Sequence, residues 1–175
     1  RCSTAEISNA TSDAIDAWLI YHDGYQLRFV HSLLRDALYH SMPPDQRARL
    51  HHTIAREMIA QPNPEHRAAE ISDQLQAALP HSSTQVATNF AFAAGTQAAA
   101  RYAYSRAKFY LERALRTAKD DAAITDTQIC EILLELGQAI LYTGSRDEAR
   151  SRILEAASVA RRVDSKSLLA RCALS

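Results

Sequence analysis

Seven histidines are the side chains of this chain best suited to chemistry near neutral pH, and their spacing limits what they can do. His51-His52 with Glu57 does not place two imidazoles four residues apart, the spacing that lets both reach one metal from a single helix face. Adjacent histidines point roughly 100° apart on a helix, so this pair reads as a partly solvated helix face. His31 is different. It follows a run in which Tyr25, Leu27 and Phe29 alternate as in a strand, and the pattern turns helical directly after it. No acid, thiol or second histidine is spaced to make it a metal ligand or an activated base. A reader of a ligand, and a structural histidine that caps its own helix or is buried with a backbone partner, are the roles left open.

The other reactive side chains are no better organised. Asp120-Asp121 and Asp126 fall where one helix should end and the next begin, as expected of a solvated turn. Ser105, Ser145 and Ser151 have no histidine and acid arranged to activate them. With four glycines in the whole chain, no glycine-rich phosphate loop can be written. The expectation is therefore no catalytic residue, no metal and no cofactor held by this segment alone.

Composition agrees with a folded, mainly helical chain. Of 175 residues 47% are apolar, enough for a core, while glycine and proline are scarce. Twenty basic residues balance twenty acidic ones, which disfavours direct nucleic-acid binding. Cys2, Cys130 and Cys172 are odd in number and far apart, so buried reduced thiols in a cytoplasmic protein are expected. No apolar run approaches the roughly 18 residues of a membrane span. The chain starts at Arg1, and we expect a piece of a longer protein.

The elements that must position these residues can be placed in order. Ser3 and Glu6 form a capping-box pattern, and Ile15, Trp18 and Leu19 give the helix that follows an apolar stripe. Asp23-Gly24 between two β-rich runs predicts a tight hairpin, because a primed turn needs positive φ. Leu33, Leu34, Ala37 and Leu38 mark one face of the helix after His31. Met42-Pro43-Pro44 then ends it and starts another, lined by Leu50, Ile54, Ala55 and Met58. Helix, hairpin and helix in that order form the expected ending of a winged-helix unit. Gln61-Pro62-Asn63-Pro64 is the clearest linker signal and sets the predicted boundary between residues 1–62 and 63–175.

Beyond that boundary every segment reads as helix. Ile71, Leu75 and Leu79 mark one, ended by Pro80, and Ser82 to Gln85 is a second capping-box candidate. Residues 91–115 and 133–157 then align without a gap at a spacing of 42 residues. Gly95 pairs with Gly137, Ala107 with Ala149, Leu111 with Ile153 and Ala114 with Ala156; Ala94/Leu136 and Ala98/Ile140 complete the match. A glycine on one helix and an alanine twelve positions later let two antiparallel helices approach closely, and the larger residue that follows fills the groove. The pattern resembles the tetratricopeptide repeat, whose usual unit is about 34 residues. The extra length predicts longer helices or a longer connection around Lys119 to Asp126. Tyr102, Tyr104, Phe109 and Tyr110 offer an aromatic surface for a partner, although inter-helix packing is the expected role of Phe109 and Tyr110.

One stretch carries a family resemblance. Tyr25, Arg28, Phe29, His31, Leu33, Arg35, Ala37, Leu38 and Tyr39, then Pro43, Pro44, Arg47, Leu50, His51, Ile54 and Ala55, are similar to the winged-helix segment of signal-transduction NTPases with numerous domains. The likeness is closest to the LuxR-type bacterial regulators and their cyclase-associated relatives. In that family a P-loop ATPase precedes this segment and helical repeats follow it. The resemblance implies a fold that is mainly α, with the short β-hairpin of a winged-helix remnant followed by a tetratricopeptide-like array. It also implies that His31 occupies the histidine of an M-H-D motif that touches the β-phosphate of bound ADP, in the intact protein only. Here the motif reads Val30-His31-Ser32, so its carboxylate is replaced.

The expected function is then a non-catalytic regulatory segment of a bacterial signalling ATPase of the transcriptional-regulator type. ATP or ADP would bind in the neighbouring ATPase module of the same chain, and a nucleotide cyclase domain accompanies some relatives. The repeats would bind a protein partner or a small inducer, with no nucleic acid and no membrane contacted directly. The alternative is a stand-alone helical-repeat adaptor without a nucleotide link. A third reading, a DNA-binding winged helix over residues 1 to 60, would use Arg28, Arg35, Arg47 and Arg49 for phosphates, against the charge balance.

Overall fold

The structure, a computed structural model, describes residues 3–119 and 121–174. Among these it is mainly α, with nine α-helices and one two-stranded antiparallel hairpin. Two compact units divide between Arg47 and Ala48.

In the first unit, α1 (Thr4–Asp16) opens on the predicted capping box. Ser3 N–H donates to Glu6 Oε2 at 2.7 Å and Glu6 N–H to Ser3 Oγ at 3.2 Å. The hydrogen bond from the Ser3 backbone holds the Glu6 carboxyl below its ordinary range. The expected apolar stripe does not reach Trp18 and Leu19, because α1 stops first. Trp18 takes a left-handed conformation (φ 56°), with its N–H on Ile15 O at 2.9 Å and the Leu19 N–H on Ala14 O at 2.9 Å. That is a Schellman stop with tryptophan where glycine is usual, and it turns the indole out, 82% exposed.

Strands β1 (Ile20–Asp23) and β2 (Gln26–Phe29) pair with Ile20 opposite Phe29 and Asp23 opposite Gln26. Gly24 sits first in the two-residue turn at φ 60°, where a type II′ turn wants glycine. Helix α2 (Ser32–Ser41) follows at once, and α3 (Pro44–Ile59) begins on proline, which suits a first turn. None of the helices or strands lying wholly in this unit contains a buried residue.

Helix α3 runs on into the second unit, where Ala48, Ala55 and Met58 are buried while Leu50 and Ile54 are not. The division between the two compact units therefore falls inside a continuous helix. That stretch bends the chain into a 3-10 turn over Pro64–Arg67 and then α4 (Ala68–Ala77), whose Ile71 and Leu75 pack with Ala55 and Met58 in one cluster.

Two long hairpins follow: α5 (Thr84–Ala100) with α6 (Tyr104–Lys119), and α7 (Asp126–Tyr142) with α8 (Arg146–Arg162). Helix α9 (Lys166–Leu174) packs on the second through Leu168 and Cys172. Helices of 16 and 17 residues joined by an unhurried α6–α7 connection account for the length of the repeat. The α5 cap is Ser83, one residue later than the predicted box, and its Oγ accepts from Val86 N–H without a reciprocal glutamine. Ser82 instead turns inward toward His52. A capping box not anticipated from sequence opens α7, between Thr125 and Gln128.

The 42-residue register holds in three dimensions. A Cβ built on Gly95 would meet Leu111 Cγ at 2.5 Å, and one built on Gly137 would meet Ile153 Cγ1 at 2.7 Å. Each glycine thus receives the large residue of its own hairpin partner, flanked by the buried alanines Ala107 and Ala114, or Ala149 and Ala156. A Cβ at either glycine would meet its neighbour closer than packed atoms sit, so that neighbour would have to shift. No helix among the described residues is long and apolar enough to cross a membrane.

Candidate functional site

His31 sits at the seam the sequence predicted, between Phe29 at the end of β2 and Ser32 at the start of α2. Its backbone is extended (φ −127°, ψ 133°) and its carbonyl accepts from Leu34 N–H at 3.1 Å, so the residue is the N-cap of α2 through its main chain. The imidazole does not cap the helix. It is exposed and makes no hydrogen bond among the described residues. The arginines considered for phosphate contact are engaged rather than free. Arg28 bridges Asp23 at 2.7 Å, Arg35 bridges Asp36 at 2.8 Å, and Arg47 donates to Tyr39 O while lying 5.1 Å from its ring.

The histidine pair of α3 is used for structure. His51 Nδ1 lies 2.6 Å from Gln74 Oε1 and His52 Nδ1 3.4 Å from Ser82 Oγ, so each ring ties α3 to a different following segment. Among the described residues no three His, Cys, Asp or Glu side chains converge as a metal-binding set. Cys130 and Cys172 are buried free thiols, and Cys2 lies outside the described residues. Burial, with Cys172 nearby, pushes the Cys130 thiol up to about 11, and its Sγ donates to Ala156 O at 3.3 Å. A thiol so held is protonated and inert at neutral pH.

The aromatic group of the first hairpin separates into two. Tyr110 is buried against Ala68 and Ala94, as expected of a packing residue. Phe109, expected to pack likewise, is half exposed under the Arg113 guanidinium, 4.7 Å from the ring centre. Tyr104 stacks on Tyr142 of the next hairpin with centroids 4.3 Å apart, and Tyr102 meets Tyr104 edge-on. Burial, then the neighbouring phenols, raises the Tyr104 hydroxyl above its ordinary range. The three rings make an aromatic strip across the junction of the two hairpins, with Tyr102 80% exposed.

On another side, an open cleft of about 680 Å³ runs between the end of α6, the α6–α7 connection and α8. Its charges are already matched. Lys119 bridges Glu155 at 2.9 Å, and Arg162 bridges Asp126 at 3.3 Å. Asp121 accepts from Thr84 Oγ1 and from Ala123 N–H, and the Thr84 bond lowers its pKa. Burial works to raise Glu155, but its bonds and charges with Lys119 and Arg152 outweigh that, so it too is lowered. Both carboxylates are ionised near neutrality and neither is poised to exchange a proton. Asp120 lies outside the described residues.

Fold and surface together define a helical-repeat protein whose exposed assets are an aromatic strip, an unbonded histidine and paired-charge clefts. No protein-family model matches the chain, and no curated protein matches it.

Proposed function

We propose that this chain is the non-catalytic regulatory segment of a bacterial signalling ATPase, coupling nucleotide state to partner or inducer binding by tetratricopeptide-like repeats. The observation that carries the reading is His31. A hairpin and a helix N-terminus present an imidazole in the open without a protein partner among the described residues, which suits a side chain kept for an anion on another module. The residues around it that resemble the winged-helix segment form the predicted hairpin and helices, which supports the same reading. The aromatic strip and the groove beside the repeats supply the surface for the partner. In the protein carrying the ATPase module, His31→Ala should lower the ADP-bound resting fraction and raise basal output. Unchanged nucleotide occupancy and output would remove His31 from the switch.

A stand-alone helical-repeat adaptor is the second reading, favoured by the self-contained core of the second unit. It requires that partner capture by the repeats be indifferent to added ADP or ATP.

A further inference from the structure

The two hairpins share a register, so their junctions with the preceding helix can be compared position by position. At the matching end of the α6–α7–α8 junction large side chains and an ion pair occupy the space, while a separate pocket of about 330 Å³ opens further along it beside Leu136 and Arg152. Leu136 and Ile140 are buried, and Lys108 Nζ bridges Glu148 at 2.9 Å beside Ser145. One repeat earlier, Ala94, Ala98 and Ala103 stand where Leu136, Ile140 and Ser145 stand. Ala68, Ile71, Ser72 and Leu75 of α4 are buried in the pattern of Ala107, Tyr110, Leu111 and Ala114 of α6, which sets Ala69 in the place of Lys108. Four small residues thus replace the filling, and a pocket of about 110 Å³ remains.

Charge changes along with volume. Arg106 occupies the position of Glu148, so the ion pair of the second junction has no counterpart in the first. Arg101 and His66 also line the pocket, and no carboxylate does. The side chains of His66, Arg101 and Arg106 form no ion pair among the described residues, whereas Arg113, Arg162 and Arg171 are all bridged to acids. The helix end beside the pocket adds to this field. The first turn of α6 has no acid, while that of α8 carries Asp147 and Glu148. Gln97, donating to Glu65 O at 2.8 Å, and the Tyr110 ring complete the walls.

We propose that this pocket binds a compact oxyanion, a phosphoryl group of a free phosphate or of a small phosphate monoester. Two guanidiniums around a cavity favour a planar-fork grip on such a group, and the volume is far below the roughly 300 Å³ at which drug-sized ligands begin to fit. The site rests on the geometry of the repeats and is independent of the ATPase reading.

The test is calorimetric titration of the full chain with inorganic phosphate and, separately, with glucose 6-phosphate, at constant ionic strength set with chloride. Saturable binding of at least one is expected, weakened about 10-fold or more by Arg106→Glu, which copies the second junction, and within about 2-fold of wild type in Arg150→Glu. Phosphate alone binding identifies a free-ion site; tighter binding of the ester identifies a monoester site. Non-saturable heats for both, or equal losses in the two variants, overturn the proposal. Should Arg106→Glu alter the circular dichroism spectrum, the Arg101→Gln, Arg106→Gln pair, which adds no charge, takes its place with the same expected loss.

Discussion

The two helical hairpins are copies in register and yet are locked differently. In the first, Gly95 faces Leu111, which is fully buried, and a Cβ there would also come within 3.3 Å of the Leu111 backbone nitrogen. In the second, Gly137 faces Ile153, which is only partly buried, and the nearest backbone atom, Ala149 O, is 3.4 Å away. Junctions reverse the order. At the end where the first has alanines and unpaired cations around a small pocket, the second has buried Leu136 and Ile140 and the Lys108–Glu148 pair. The two hairpins thus share their helix contact while their junctions differ in side-chain size and in charge.

The comparison can be broken most strongly at the groove residue. Leu111→Ala should cost about 3 kcal/mol by denaturant unfolding, and Ile153→Ala about half that, because only the first leaves a fully enclosed cavity. Equal losses would mean that the two grooves are equally tight. The glycines give a finer division. Alanine gains about 1 kcal/mol of helix propensity at either position. At Gly95 the clash with the Leu111 branch point and backbone should outweigh this, for a net loss of about 1 kcal/mol, whereas Gly137→Ala should be nearly neutral.

The smallest effect is electrostatic. The hydrogen bond and charge of Lys108 hold the Glu148 carboxyl below its ordinary 4.5. The unfolded chain then takes up its proton first, so the stabilisation is full above about pH 4.5 and is lost as pH falls through the lowered folded value. Glu148→Gln should cost under about 1 kcal/mol at pH 7 and flatten the acid limb of the stability profile. A profile unchanged by the substitution would show that the pair contributes nothing at this junction.

Much of this was legible in the chain, and for local reasons. Ser3-Glu6, Gly24 and Pro44 act within one turn of backbone, and each appears where it was read. The repeat was legible because glycine, alanine and a large residue must recur at fixed spacing for helices to touch. Other readings needed partners distant in sequence. Trp18 ended its helix although nothing in its type announces a left-handed stop. Ser82 has the local pattern of a cap but is drawn toward His52, thirty residues earlier. The cleft between α6 and α8 and the Thr125–Gln128 box carried signals too common to single out, a few charges and a polar pair.

By itself the sequence determined the helices, the hairpin with His31 at its exit, and the register that sets Gly95 on Leu111 and Gly137 on Ile153. Those features depend on φ preferences, end-caps and periodicity, which operate over a few residues. Tertiary structure decided which face of α3 is buried, that the helices and strands lying wholly in the first unit bury nothing of their own, and that Arg106 ends beside a cavity where its counterpart Glu148 ends beside a lysine. Burial and pairing of that kind depend on side chains about forty positions apart, and no local preference records which of them will meet.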